Sequence, residues 1–140
     1  MSEEIDIGEC KRFIYDNYVG KLLRFLRGEV SRVANNMEFM KVYQVIIYQC
    51  DNTDNNEEIN QICEEFIAEY LQNEVSPKIK GKHGEQLIQN LVSVWDNYCI
   101  YSKMMDRIFE YLNRFYLKNS QMPHIGERCL EMFRTSIFSE

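Results

Sequence analysis

Apolar residues recur at alternating steps of three and four in the second half of the chain, from Tyr98 to Phe115. A spacing of about 3.5 residues per turn is typical of long α-helices that pack side by side. The six members of this seam are Tyr98, Tyr101, Met105, Ile108, Leu112 and Phe115. A straight helix over residues 85–118 would span roughly 50 Å, and we therefore expect a bend or break near residues 97–102.

The rest of the chain shows the same helical period. Apolar residues predict a first helix over about residues 9–30, with Gly28 near its end, and a second over about residues 36–50, capped by Asn35 or Asn36. A polar loop and a third helix follow. We expect Pro77 to end the third helix, because proline lacks an N–H donor and clashes with the preceding turn. A last helix is predicted from near Ile125.

The apolar stripes of these helices also predict core residues. In the first helix they are Tyr15, Val19, Leu22, Leu26 and Val30. In the third they are Ile59, Ile62, Cys63, Phe66, Ile67, Tyr70 and Leu71, and in the last they are Leu130, Phe133 and Ile137. The sequence therefore predicts one all-α domain over residues 1–140, an elongated antiparallel bundle of five helices.

The composition agrees with this fold class and excludes other kinds of protein. With 45% hydrophobic residues, six Gly and two Pro, the chain fits neither a disordered segment nor a barrel of many short strands. The 22 acidic and 16 basic residues give a net charge of −6. We expect no nucleic-acid partner, because phosphate binding requires a surplus of Lys and Arg.

The pattern of apolar and cysteine residues predicts the compartment. No stretch approaches about 20 uninterrupted apolar residues, and the acidic N-terminus lacks the basic and apolar regions of a signal peptide. The five cysteines are odd in number, widely spaced and without a CxxC pair, so we expect neither a disulfide framework nor a zinc site. The sequence predicts a reduced, intracellular protein of the cytoplasm or nucleus, without a membrane partner.

The sequence contains little that would support catalysis. Cys99 or Cys129 can be paired with His124 as a hypothetical nucleophile and base, but a helical cysteine is ordinarily a small buried side chain. No phosphate-binding, dinucleotide, metalloprotease or calcium motif is present. We expect no catalytic residue, no cofactor and no bound metal, although an enzyme that uses one of these two thiols remains a hypothesis.

The second helix is apolar over an unusually wide arc. At 100° per residue its apolar side chains cover about 220°, whereas one core-facing stripe needs only a little over about 100°. One interpretation is a central helix that is buried on all sides. The other is a helix with two faces. Its core face would be Val42, Val45 and Ile46, and its partner face would be Phe39, Met40, Tyr43 and Ile47.

The long apolar segment shows a similar surplus. Met104, Phe109, Tyr111 and Tyr116 lie off the seam. The mixture of aromatic and amide side chains in residues 111–116 would suit the edge of an interface. It would equally suit packing against a third helix, and the periodicity does not distinguish these two interpretations.

Several segments resemble the first N-terminal repeat of the cullin family. The resemblance is specific in residues 95–116, which match the family pattern without a gap through Trp95-Asp96-Asn97-Tyr98, residues 102–105, Ile108 and residues 111–116. It is weaker at residues 39–43 with Cys50, and at Leu130, residues 133–134 and residues 137–138. It covers roughly residues 36–138 and is closest to cullins that use a Skp-type adaptor and F-box proteins. The tryptophan expected in the first helix is absent, and Tyr15 or Tyr18 would replace it.

The resemblance implies a five-helix cullin repeat that binds an adaptor through its second and fifth helices. Matched position by position, the contacts on the second helix would be Phe39, Met40, Tyr43 and Ile47, and those on the fifth would be Asn113 and Tyr116, with Arg114 as a weaker candidate. The family usually has an aromatic residue where Ile47 stands. Trp95, Tyr98, Ile108 and Leu112 would be packing residues of the repeat.

The function implied is that of a non-catalytic scaffold in a cullin-RING ubiquitin ligase, which acts in ubiquitin-dependent protein catabolism. The partner would be a Skp-type adaptor carrying F-box substrate receptors, with a BTB-type adaptor as the alternative. Cullins bind the RING protein through C-terminal regions that 140 residues do not include. We therefore expect a separated domain, a truncated product or a short cullin-like protein. A helical-repeat tethering protein outside the ligase is the alternative function, and it predicts a second helix buried within the molecule.

Overall fold

The structure is a computed structural model and describes residues 6–138 of the chain. Within this range it contains helices and no strand, so the all-α prediction is confirmed. Helix α1 spans residues 7–26 as Ile7–Ile14, a π-helical turn Tyr15–Val19, and Gly20–Leu26. Helix α2 is Asn36–Asp51. Helix α3 spans residues 56–79 as Asn56–Tyr70, a π-helical turn Leu71–Val75, and Ser76–Ile79.

Three further helices complete the described part of the chain. Helix α4 is Gly84–Ile108. Helix α5 spans residues 110–117 as Glu110–Leu112 and a π-helical turn Asn113–Leu117. Helix α6 is Ile125–Phe138. The described residues thus form six helices where the sequence predicts five, because the long apolar segment is divided into α4 and α5.

The break in the long apolar segment is at Phe109, and the prediction of a break near residues 97–102 is wrong. Helix α4 is continuous through that region, and Phe109 leaves the helical conformation with φ −100° and ψ 22°. Ile108 and Phe109 are both fully buried. Consecutive residues of a helix point about 100° apart, so a change of direction here lets both side chains enter the core. The location of the break follows from packing rather than from the length of the helix.

Tyrosines of α4 join three helices at the centre of the core. The hydroxyl groups of Tyr98 and Tyr101 donate hydrogen bonds to the backbone carbonyls of Cys129 in α6 and Phe66 in α3. The ring of Tyr70 in α3 stacks on Tyr101 with 4.1 Å between ring centroids. Each buried hydroxyl therefore has a partner, which burial requires. Desolvation by burial raises the pKa of Tyr98 and of Tyr101 well above the ordinary value.

Most of the predicted core is confirmed, but three of its members, Tyr15, Phe115 and Leu130, are exposed. The apolar stripe predicted for the third helix is buried throughout, and the seam is buried from Tyr98 to Leu112. Phe115 at the end of the seam is exposed and Leu117 is buried instead, because the π-helical turn changes the rotation of the helix. In α6, Leu130 is exposed and its neighbour Cys129 is buried.

The predicted helix ends are partly confirmed. Gly28 follows α1 with a φ of +80°, a conformation that glycine adopts without strain and that is typical just after a helix. Pro77 does not end the third helix, and that prediction is wrong. It lies in the first turn of the short segment Ser76–Ile79, directly after the π-helical turn, where its missing N–H costs little. Within residues 6–138, no helix combines the length and the hydropathy needed to cross a bilayer.

The N-terminus of α2 is fixed by a capping box, which confirms one of the two predicted caps. Asn35 Oδ1 accepts from the Glu38 N–H at 2.8 Å, and Glu38 Oε1 accepts from the Asn35 N–H at 2.9 Å. Two backbone donors at the helix start are thereby satisfied. The hydrogen bond that the Asn35 N–H donates to Glu38 is the largest cause that lowers the pKa of Glu38. A hydrogen bond from Lys21 is the second.

We expect Asn35→Ala to lower the free energy of unfolding by about 1 kcal/mol, because the mutation removes the side-chain cap. Denaturant titration followed by circular dichroism measures this. The neighbouring Asn36→Ala is the matched control, since Asn36 lies inside the helix and alanine favours helix. An equal loss of stability in the two variants would contradict the assigned cap.

Candidate protein-interaction face

Helix α2 has the two faces that its wide apolar arc allows. Val42, Val45 and Ile46 are fully buried against the bundle, as predicted for the core face. On the other flank Phe39, Tyr43 and Ile47 are partly buried, and Met40 is 46% exposed. The interpretation of a central helix buried on all sides is therefore wrong. This apolar flank is therefore partly open to solvent, and Met40 is its most exposed member.

Phe39 is held in place by aromatic neighbours and by a cation. Its ring packs edge-on against Tyr18 of α1 at 5.8 Å and stacks on Tyr43 at 5.9 Å between centroids. The guanidinium of Arg107, near the end of α4, lies 5.1 Å from the ring centroid of Phe39. Such contacts contribute about 0.5–1 kcal/mol each at partly exposed sites. They hold the ring in one orientation.

Helix α5 lies beside this flank and adds charged and aromatic side chains. Burial raises the pKa of Tyr43, the nearby Glu110 raises it further, and Arg114 opposes both effects. Tyr111 interacts with Asp51 at the end of α2, and its pKa is raised by burial and by that carboxylate. The rings of Tyr111 and Phe115 are 4.6 Å apart. The break at Phe109 thus places α5 along α2.

Asn113 does not lie on this surface. It is only 1% exposed, and both ends of its amide are used inside the domain. Its Nδ2 donates to Asp106 Oδ1 at 2.9 Å, and its Oδ1 accepts from the Ile125 N–H at 2.8 Å. The Gly126 N–H donates to the same Asp106 oxygen at 2.8 Å. Asn113 therefore caps the start of α6, and its buried side chain does not reach the surface that the predicted adaptor contact would need.

Tyr116 is partly exposed but lies over α3. Its hydroxyl donates to Glu57 Oε2 at 2.7 Å, in the first turn of that helix. This hydrogen bond is the largest cause that raises the pKa of Tyr116 and lowers the pKa of Glu57. The structure therefore groups the four predicted residues of α2 with Tyr111 and Arg114 rather than with Tyr116. We call Phe39, Met40, Tyr43, Ile47, Tyr111 and Arg114 the α2–α5 face.

Sequence reasoning did not identify Arg107 and did not decide the role of Tyr111. Tyr111 lies off the seam, and the sequence allowed two interpretations of it, an interface edge or packing against a third helix. The structure places it at the flank of α2. For Arg107 the sequence holds no signal, since its place above Phe39 depends on how α4 crosses α2. Arg128 and Asn60, a buried pair joined by a hydrogen bond, were likewise not identified.

The thiols do not assemble into a reactive centre. Burial raises the pKa of Cys129 to about 11, and His124 is exposed. Cys99 is exposed, so the expectation that it is a buried helical cysteine is wrong. Among the described residues no three His, Cys, Asp or Glu side chains are grouped so that they could hold a metal ion.

Comparison with known proteins gives the family of this fold. The family model described as the cullin alpha solenoid domain matches residues 22–140. The chain belongs to the cullin family. This finding agrees with an all-helical fold in which a long α4 is joined to a short α5.

The curated relatives are cullins and cullin-like proteins. Over 125 residues the chain is 26% identical to Cullin-1 of Oryza sativa subsp. japonica, covering 87% of this chain and 17% of that protein. It is 27% identical to Cullin-like protein 3 of Arabidopsis thaliana, covering 86% and 47%. It is 27% identical to Cullin-4A of Homo sapiens, covering 89% and 17%. The chain thus spans less than half of each of these relatives, and no solved structure matches it significantly.

We expect Asn113→Ala to destabilise the domain by about 1–3 kcal/mol, because the mutation leaves the buried Ile125 N–H without its acceptor. Thermal unfolding followed by circular dichroism measures the loss. Asn119→Ala is the matched control, since Asn119 is exposed and bonds only its own turn. An unchanged unfolding temperature in Asn113→Ala would contradict the assigned role.

We expect thiol labelling of the native protein at about pH 8 to modify Cys99 first and the other four cysteines only on unfolding. Burial raises the pKa of Cys10 and Cys50 to about 12, so almost no thiolate is present there. Mass spectrometry of labelled peptides identifies the sites. Rapid native labelling of Cys129 would show an activated thiol and would revive the enzyme hypothesis.

Proposed function

We propose that this chain is the adaptor-binding module of a cullin scaffold, and that it binds a Skp-type adaptor through the α2–α5 face. The adaptor would carry F-box substrate receptors, and the module would position them without performing catalysis. The observation that carries this proposal is the partly exposed apolar flank of α2 beside α5. A scaffold requires such a surface, whereas a tether that buries α2 internally does not.

The chemistry of the face suits a helical protein partner. Met40 offers a flexible apolar side chain, and Phe39 and Tyr43 offer rings that are already fixed by their neighbours. Aromatic and Met side chains are enriched at the centres of interfaces, and fixed rings lose little entropy on binding. Arg107 and Arg114 at the edge would favour acidic groups on the adaptor. Ile47 would extend the apolar contact toward the C-terminus of α2.

The scaffold role also fixes what the module does not do. Recruitment of the RING protein belongs to regions outside the part of a cullin that this chain resembles, so the module alone would hold an adaptor without assembling a ligase. We place it inside the cell, in the cytoplasm or nucleus, where adaptors of this kind act. A BTB-type adaptor is the alternative partner, since the resemblance to Skp-dependent cullins is one of degree.

We expect calorimetric titration with the Skp-type adaptor of the same organism to show saturable one-to-one binding. Tyr43→Ala should weaken the complex by about 2 kcal/mol, roughly a thirtyfold increase in Kd, because truncating a central aromatic anchor removes much of the binding energy. The variant should keep its helical circular dichroism, since Tyr43 is only partly buried.

Ile88→Ala is the matched control. Ile88 is an exposed apolar residue of α4, away from the α2–α5 face, and its removal should leave the Kd unchanged. Equal binding by the wild type and a folded Tyr43→Ala variant would refute the assignment of the face. Binding of a BTB-type adaptor in place of the Skp-type adaptor would overturn the choice of partner and keep the module in the scaffold class.

A further inference from the structure

A second apolar surface runs along α4, outside the α2–α5 face. Ile88, Val92 and Trp95 are 63%, 56% and 38% exposed, and Cys99 continues the same line. Their steps of four, three and four place them on one side of the helix. We call these four residues the α4 stripe. Trp95 is held in place by an edge-on contact with Phe133 of α6, with 5.1 Å between ring centroids.

The stripe borders a groove between α4 and α6. The groove is lined by Trp95, Cys99 and Lys103 of α4 and by Leu130 of α6, which the sequence had predicted for the core but which is exposed. An apolar ridge beside an apolar groove is the geometry that accepts side chains of a second helix as knobs in a hole.

The charges around the stripe have the symmetry of an antiparallel pair. Glu85 precedes the stripe and Lys103 follows it, and both are exposed. They are 18 residues apart, about five complete helical turns, so they lie on the same edge of α4. The midpoint between Glu85 and Lys103 along the sequence is residue 94. The middle of the α4 stripe lies within half a residue of the same point. A two-fold axis through this point would set Glu85 of each copy opposite Lys103 of the other, so that two pairs of opposite charges form.

We propose that two copies of this chain associate through their α4 stripes in an antiparallel, two-fold symmetric dimer. Ile88 of each copy would enter the groove of the other beside Cys99 and Leu130, and the two Glu85–Lys103 pairs would flank the apolar contact. A surface that binds an unrelated segment does not need charges placed symmetrically about its centre. A surface that binds a second copy of itself does need them. The dimer leaves the α2–α5 face free, so this proposal does not depend on the proposed function.

The interface is small, and the association is correspondingly weak. The stripe from Ile88 to Cys99 is roughly 17 Å long at 1.5 Å per residue. Contacts of this size fall in the class of transient interfaces, and we expect a Kd on the order of 10 μM. Asp96 lies near the symmetry axis on the edge that carries Glu85 and Lys103, so its like charges oppose association. Asp96→Asn should tighten the dimer.

Sedimentation velocity of the full chain, from about 1 to about 100 μM, tests the proposal. We expect a monomer at the lower limit and a dimer at the upper limit. Val92→Glu should raise the Kd at least about tenfold, because it places a charge in the apolar contact. Met40→Glu on the α2–α5 face is the matched control and should not change it. Dimerisation that Met40→Glu abolishes and Val92→Glu retains would overturn the proposal.

Charge reversal tests the antiparallel arrangement itself. Glu85→Lys alone and Lys103→Glu alone should each weaken the dimer by roughly fivefold, since each creates two like-charge pairs. The double variant should restore wild-type association, because the opposite charges meet again. A double variant whose loss of dimer affinity equals the combined losses of the two single variants would refute this pairing.

Cys99 reports the same contact without a mutation. It is the exposed cysteine within the stripe, so its rate of reaction with a maleimide should fall several-fold as the protein concentration passes the Kd. A dimer formed through another surface would leave this rate unchanged and would contradict the proposal. A chain that remains monomeric at all concentrations would overturn it as well and leave the stripe to a different polypeptide.

Discussion

A polar junction of Asp106 and Asn113 joins three helices, and the arrangement of the α2–α5 face depends on it. Asp106 lies near the end of α4 and Asn113 lies in α5, and together they accept the Ile125 and Gly126 N–H groups at the start of α6. Buried polar groups must find partners within the protein, because no water replaces a lost bond. Helix α5 therefore cannot swing away from its place without leaving these groups unpaired.

The junction also fixes the side chains of the α2–α5 face. With α5 fixed beside α2, Glu110 and Arg114 lie near Tyr43, and Arg107 at the end of α4 lies over Phe39. The rings are held by neighbours on three helices, so binding would order few side chains. The interior of the domain thus sets the geometry of its surface, and a scaffold that positions other proteins requires this kind of rigidity.

Local signals in the sequence predicted the features that depend on neighbouring residues. The cap at Asn35, the buried stripe of α3 and the core face of α2 all follow from spacing and residue type. The break at Phe109 and the buried role of Asn113 did not follow, because they depend on hydrogen bonds and packing between separate helices. Leu130 was predicted for the core and is exposed, because periodicity alone does not fix the rotation of α6. The resemblance identified the family, which the comparison confirms.

Hydrogen exchange of the chain with and without the Skp-type adaptor tests the central claim most directly, because it reports every segment at once. The account predicts added protection of residues 39–47 and 110–116 in the complex, and no change in residues 88–99. Protection confined to α4 and α6, or none in the presence of saturating adaptor, would contradict the assignment of the α2–α5 face as the binding surface.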